Sequence, residues 1–221
     1  MKVLLWDVDG TLLLNGGRAG LLYDDAIARL TGTDPPGASP GEHGKTDAQI
    51  LTERLAAGGH DPALFPRALA LLDELSLEGN SGPYARRIAP GVEAALDATG
   101  AAGWTHGLLT GNSPTRVRHK FAGAGLDAAR FDWDLGFFGD RALVRQDIAL
   151  EAKDRLGDVP AVIVGDTPSD GVAADAGGFP FVAVATGVFT EEDLRVTDAA
   201  VVVPDLAVGL DAVLAYLETV A

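Results

Sequence analysis

Asp7 and Asp9 occupy alternate positions directly after the apolar run 3–6 and directly before Gly10-Thr11. A buried strand over that run would deliver both carboxylates to its carboxyl end. Like charges so close raise each other's pKa unless a cation or a reaction needs them. Two further acids, Asp166 and Asp170 in Asp166-Thr167-Pro168-Ser169-Asp170, follow a second apolar run, 161–164. A third run, 104–109, ends in Thr110-Gly111-Asn112, which supplies a hydroxyl, a backbone N–H and an amide ahead of a helix. Such groups donate well to phosphate oxygens at a helix N-terminus. Each stretch also has a plain structural reading. Asp-Gly is a turn signal, Asp166 or Asp170 can cap the next helix, and Thr-Gly-Asn-Ser-Pro is ordinary turn and N-cap chemistry.

Four carboxylates on one edge need a hard cation. Mg²⁺ takes oxygen ligands and tolerates waters and substrate phosphate in its shell, and is the predicted cofactor. An EF-hand does not account for Asp7-Val8-Asp9-Gly10, because Gly10 stands fourth and Arg18 twelfth, where that loop requires Gly sixth and Glu twelfth.

Composition narrows the remaining classes. The 221 residues are 47% hydrophobic, enough for a large core with a smaller insert. A formal charge of −15 argues against nucleic acid and anionic membranes, both of which are bound through Lys and Arg. An anionic substrate must then be met by a local group of cations or a metal. No cysteine is present, which removes disulfides, thiolate metal sites and Cys nucleophiles. No signal-peptide core and no membrane-length apolar stretch is seen, so a soluble cytoplasmic protein is expected.

The elements that would position these residues alternate. After the first strand, 16–30 has Leu21, Leu22, Ile27 and Leu30 at helical spacing, 31–44 is a Gly/Pro loop, and helices follow over 46–57 and 62–77. No strand is evident between 16 and 87. From Ile88 onward helices are predicted over 91–99, 114–123, 147–156, 169–176, 191–194 and 206–217. Strands are predicted over 104–109, 133–138, 161–164, 181–185 and 200–203. This pattern predicts an α/β fold, a doubly wound, Rossmann-like parallel sheet of residues 1–15 and 88–221, with a helical cap of 16–87 inserted after strand one. Ligands in such sheets sit outside the carboxyl ends of the strands, where all three stretches converge.

Asp7-Val8-Asp9-Gly10-Thr11-Leu12, Leu108-Leu109-Thr110-Gly111-Asn112 and Val164-Gly165-Asp166-Thr167-Pro168-Ser169-Asp170 resemble, in order and spacing, motifs I, II and IV of the haloacid dehalogenase (HAD) superfamily. The insert resembles its C1-type cap, and Gly44-Lys45-Thr46-Asp47 resembles a segment of phosphoglycolate-phosphatase-like members. The resemblance implies that Asp7 attacks phosphorus to give an aspartyl-phosphate and that Asp9 acts as general acid and base. It also implies Mg²⁺ held by Asp7, the main-chain carbonyl of Asp9, Asp166 and Asp170, with Thr110, Gly111 and Asn112 on the phosphate. Retention of Asp9 favours P–O cleavage, because the dehalogenase and phosphonatase branches lack it.

One motif departs from the family. No Lys-Pro precedes the fourth strand; Arg145 stands about where the motif III lysine belongs, with Arg141, Lys120 and Lys153 as rivals, the two lysines readable as solvated helix residues. In the cap, Lys45, His43 and Arg18 are candidates to face the leaving group, whereas His60, His106 and His119 receive no role. The expected activity is a Mg²⁺-dependent phosphatase of a small, phosphoglycolate-like metabolite. The alternatives are a β-phosphoglucomutase-like mutase and a non-catalytic phospho-ligand-binding module.

Overall fold

The computed structural model describes residues 1–14, 16, 18, 20–38 and 41–220. Six parallel strands form one sheet in the order β3-β2-β1-β4-β5-β6. They are β1 (Lys2–Trp6), β2 (Trp104–Thr110), β3 (Gly136–Phe138), β4 (Ala161–Gly165), β5 (Phe181–Val184) and β6 (Val201–Val203). β1 lies at the centre, paired with β2 through Leu5↔Gly107 and with β4 through Leu5↔Ile163. The strand order reverses there, making the carboxyl end of β1 the switch point where doubly wound sheets bind ligands.

Burial on both faces explains the near-continuous apolar strands. Leu4 and Trp6 pack into one core cluster with Leu108, Val117 and Phe121; Val3 and Leu5 pack into the other with Leu109, Ile148 and Ile163. The helices covering these faces are α4 (Val92–Ala101), α5 (Pro114–Ala124), α6 (Arg145–Leu156), α7 (Pro168–Gly177), α8 (Glu191–Arg195) and α9 (Leu206–Leu217). The predicted strand over 133–138 is shorter than expected. Asp132 accepts from the Asp134 N–H and starts a 3₁₀ turn over Trp133–Leu135, leaving only Gly136–Phe138 to pair with β2.

Between β1 and α4, no strand occurs among the described residues. Helices α1 (Leu21–Thr31), α2 (Asp47–Ala57) and α3 (Phe65–Gly79) enclose a separate apolar cluster that includes Ile27, Leu51 and Leu72. The first helix begins at Leu21 rather than Gly16, and calls on Asn15, Gly17 and Ala19 fall outside the described residues. The third is preceded by a 3₁₀ turn over Pro62–Leu64, capped by Asp61. No helix among the described residues is long and apolar enough to cross a membrane.

Candidate active site

The amino end of α2 docks this helical insert onto the sheet edge. The Asp47 N–H donates to the Gly111 carbonyl (2.7 Å), the Ala48 N–H to that of Gly139 (3.0 Å), and the Thr46 hydroxyl to that of Ala142 (2.5 Å). A Cβ on Gly111 would lie 2.5 Å from the Lys45 carbonyl oxygen, so the glycine of this turn is what admits the insert. The Asp47 carboxylate accepts from the Ser113 N–H, pairs with buried Arg116 and accepts from the Tyr23 hydroxyl at 2.7 Å. Beneath this seam lies a cavity of about 490 Å³, lined among others by Asp7, Asp9, Asp166, Arg145, Gly111, Asn112 and Lys45.

At the sheet side, backbone geometry sets the acids. The Asp7 N–H donates to the Val164 carbonyl (2.9 Å), which ties the chain leaving β1 to β4 and brings Asp7 beside Asp166. Gly10 turns back with φ +86°, and a Cβ there would fall 2.1 Å from Asp166 Oδ2. Only glycine lets the chain take this conformation and pass so near the carboxylate. Asp166 Oδ1 accepts from the Thr11 hydroxyl (3.0 Å). Asp170 supports the start of α7 and also faces a cation. Its Oδ2 accepts from the Thr167 N–H and hydroxyl in a capping box at the start of α7, while its Oδ1 faces Arg145.

Asp7, Asp166 and Asp170 each offer an oxygen within 4.8 Å of the others, all three buried. Their one close cation is Arg145, whose Nη2 lies 2.7 Å from Asp7 and 2.6 Å from Asp170. Burial raises Asp7 to about 6; the charges of Asp170 and Asp9 add to this and Arg145 offsets it. Asp166 is raised well above the usual range by burial, then by Asp7 and Asp170. The donor set is all oxygen and short of positive charge, so it fits a hard divalent cation. Arg145 opens α6, an unfavourable end for a cation, and is held there by these carboxylates. Arg141 is exposed and Lys153 caps the end of its own helix through the Gly157 carbonyl.

The Asp9 carboxylate does not join this trio. It turns the other way, to Lys120 Nζ (2.5 Å), Asn112 Nδ2 (2.8 Å) and Arg86 Nη1 (2.8 Å). Burial would raise its pKa, but the charges of Arg86 and Lys120 win and hold it far below the usual carboxylate range. Lys120 is not solvated as the sequence allowed. It is 1% exposed, and burial lowers it to about 7, with Arg86 and Arg116 opposing the support of Asp9. Thr110 is buried behind the cavity, its hydroxyl accepting from the Asn112 amide. Lys45 lines the cavity and pairs with Glu53 (2.6 Å), His43 lines it too, and Arg18 pairs with Asp25.

Arg86 and Arg116 were not anticipated. Arg116 and Lys120 share the inward stripe of α5 with Val117 and Phe121, and two cations inside an apolar 3.6-residue stripe were a readable sign. Arg86 lies in the segment returning to the sheet and carries no such pattern.

A doubly wound sheet with a buried carboxylate trio and a second, separately held aspartate at its switch point places the chain among hydrolases of one fold class. A family model described as haloacid dehalogenase-like hydrolase matches residues 1–178, and the chain belongs to that family. Its fold is similar to CbbY from Rhodobacter sphaeroides, solved in complex with phosphate, with 19% identity, 95% of this chain and 96% of that one covered, and a TM-score of 0.68. A predicted phosphatase from Clostridium acetobutylicum shows 16% identity over 98% of each chain with a TM-score of 0.72. A predicted phosphoglycolate phosphatase from Haemophilus somnus shows 17% identity, coverage of 96% and 98%, and a TM-score of 0.68. Comparison with curated proteins gave no match.

Proposed function

We propose that the protein is a Mg²⁺-dependent phosphatase of small phosphorylated metabolites, phosphoglycolate-like in size and charge, working through an aspartyl-phosphate on Asp7. The observation that carries this reading is the division of labour between two aspartates two residues apart. Asp7 sits in the carboxylate trio against Arg145, whereas Asp9 is held apart from it by Asn112, Lys120 and Arg86.

Asp7, Asp166 and Asp170, with the main-chain carbonyl of Asp9, would hold the metal. When bound, Mg²⁺ supplies charge neutralisation between nucleophile and phosphoryl oxygens. Asp7 Oδ attacks phosphorus and the ester oxygen leaves. Arg145, fixed beside Asp7, is placed to draw the phosphoryl group to the nucleophile, as a lysine does elsewhere in the family. Gly111 and Asn112 line the cavity with donors for phosphoryl oxygens. Asp9 would give the departing alkoxide a proton taken up from solvent before that step and, as carboxylate, would recover one from the water that attacks the aspartyl-phosphate. In the arrangement seen, Arg86 and Lys120 favour its ionised form, which suits the second step. The cap of residues 16–87 covers the cavity and presents Lys45 and His43 toward the leaving group.

The test is hydrolysis of p-nitrophenyl phosphate and a metabolite panel with and without Mg²⁺. Mg²⁺-dependent release of phosphate, lost in Asp7→Asn, is expected. No turnover by the wild type, or undiminished turnover by the variant, overturns the reading. Conversion of a sugar 1-phosphate to its 6-phosphate without free phosphate replaces it with a mutase.

A further inference from the structure

At the Asp9 end of the cavity two buried cations share one carboxylate. Arg86, Arg116 and Lys120 all line the cavity and are all at least nine-tenths buried. The acids nearest them are Asp9, Asp47 and half-buried Asp73, which acts on Arg116 from beyond Ser113. Asp47 is engaged by Arg116, Tyr23 and the Ser113 N–H, so Asp9 alone is left for both Arg86 and Lys120. The fit of Arg86 on Asp9 is imperfect. Its Nη1 comes within 2.8 Å of Oδ1, yet Oδ1 remains a buried acceptor with no aligned hydrogen-bond donor among the described residues. The Nε of Arg116 is likewise buried with no acceptor among them. Two buried cations sharing one carboxylate are costly, and a ligand anion is the economical way to balance them.

Arg86 is also built into place rather than loosely extended. Its Nε donates to Asn80 Oδ1 (3.1 Å) and its Nη1 points toward the Leu14 carbonyl (3.4 Å), so the guanidinium is pinned between the insert and the strand it returns to. Lys120 is fixed from the other side by Asn112 Oδ1. Both cations converge on the Asp9 side chain, and neither pairs with the carboxylate trio. With phosphorus at Asp7 and the leaving oxygen toward Asp9, the rest of the substrate extends toward them.

We propose that Arg86 and Lys120 form a subsite for a second anionic group on the leaving half of the substrate, the place against which the Asp9 carboxylate rests in this structure. The favoured substrate is then a small phosphomonoester that also carries a carboxylate or a second phosphate, rather than a neutral phosphate ester. This rests on the phosphatase reading and adds to it a substrate class and two residues that select it.

Matched pairs of esters test it. 2-Phosphoglycolate against ethyl phosphate isolates a carboxylate, and 1,3-propanediol bisphosphate against propyl phosphate isolates a phosphate. With Mg²⁺, the wild type is expected to favour at least one charged member by about 100-fold in kcat/KM, mostly through KM. That preference should fall at least tenfold in Arg86→Gln and in Lys120→Met, and recover in part in Arg86→Lys. Thermal melting of each variant checks that it is folded. Binding supplies an independent readout. Asp9→Asn removes the resident carboxylate, so calorimetry should find it binding the charged member more tightly than the wild type does, though it turns over poorly. A wild-type preference within threefold for both pairs overturns the subsite. So does an equal loss on charged and neutral esters in Arg86→Gln and Lys120→Met, which would make the two cations supports for Asp9 and nothing more. If no ester is turned over, the phosphatase reading fails. The subsite then stands or falls on whether the charged members bind more tightly than the neutral ones and lose that advantage in Arg86→Gln.

Discussion

The two ends of the cavity carry opposite imbalances. Beneath β1 and β4, three buried carboxylates face a single guanidinium, and burial leaves Asp7 and Asp166 reluctant to ionise. At the Asp9 end, two buried cations, Arg86 and Lys120, share the carboxylate of Asp9, and Lys120 is the group made reluctant to keep its charge. Each end is short of the charge it would receive: positive for a metal ion, negative for the substrate. A phosphate ester laid between them would be repelled by the first end acting alone and attracted by the second. On the proposed reading a metal and the anion would be interdependent parts of one site, and the chain's overall charge of −15 says nothing about the field inside it.

The comparison is broken most severely at the nucleophile. Asp7→Asn keeps size and, on the proposed mechanism, would remove both the attacking oxygen and a metal ligand. A fall in kcat on the order of 10³-fold or more is expected, measured as phosphate release at saturating substrate and Mg²⁺. The matching change at the other end, Asp9→Asn, should leave phosphoryl transfer to Asp7 possible but slow release. A loss of roughly 10²- to 10⁴-fold fits removal of a general acid/base. Here the aspartyl-phosphate should accumulate and be trappable in acid quench. If Asp9→Asn lost activity without accumulation, its main role would lie in the first step.

That division was half legible in the sequence. Asp7, Asp9, Asp166 and Asp170 could be placed because each follows an apolar run at a strand end, and parallel strands put such ends on one edge. The sheet was readable for the same reason: central strands buried on both faces show as short Val/Ile/Leu blocks. The strand over 133–138 was overextended because Asp132 diverts the chain into a turn, a side-chain-to-backbone bond that competes with apolar patterning. The cations were the least visible. Arg145 was named by position and lies beside Asp7, whereas Lys120 was a rival for the same place that could equally be a solvated helix residue, and it pairs with Asp9 instead. Arg86 gave no signal because its role comes from long-range convergence on Asp9 and Asn80, across a segment with no periodic pattern.

Arg145 tests the trio from its only close cation. Arg145→Ala leaves Asp7 and Asp170 buried without it, and breaking a buried pair from one side typically costs about 3–5 kcal/mol. Urea unfolding in the presence of a chelator should show a loss of that order. Adding Mg²⁺ should return part of it, because the metal supplies the missing charge by another route. Arg145→Lys should keep most of the stability while lowering kcat/KM, since a mobile point charge replaces a planar guanidinium whose Nη2 is fixed between Asp7 and Asp170. Equal unfolding midpoints for wild type and Arg145→Ala in chelator would mean that the trio is relieved by protonation rather than by Arg145.

Protonation gives the smallest and most diagnostic effect. Asp7 stands at about 6 in the folded chain against an ordinary value of 3.8, and Asp166 is raised as well. Between pH 4 and 6 the folded state therefore binds more protons than the unfolded state, so these two groups make stability fall as pH rises through that window. Asp9 works in the opposite sense. Its pKa is depressed, so the stability it contributes is present above the ordinary aspartate value and is lost only as pH drops below it. The windows barely overlap. In chelator, the melting temperature should decline from pH 4.5 to pH 7 by a few degrees, and Asp166→Asn should flatten the slope. Saturating Mg²⁺ should reverse it, because the metal competes with protons for the same oxygens and binds better as they leave. A slope unchanged by both Mg²⁺ and Asp166→Asn would assign the pH dependence to groups outside the trio.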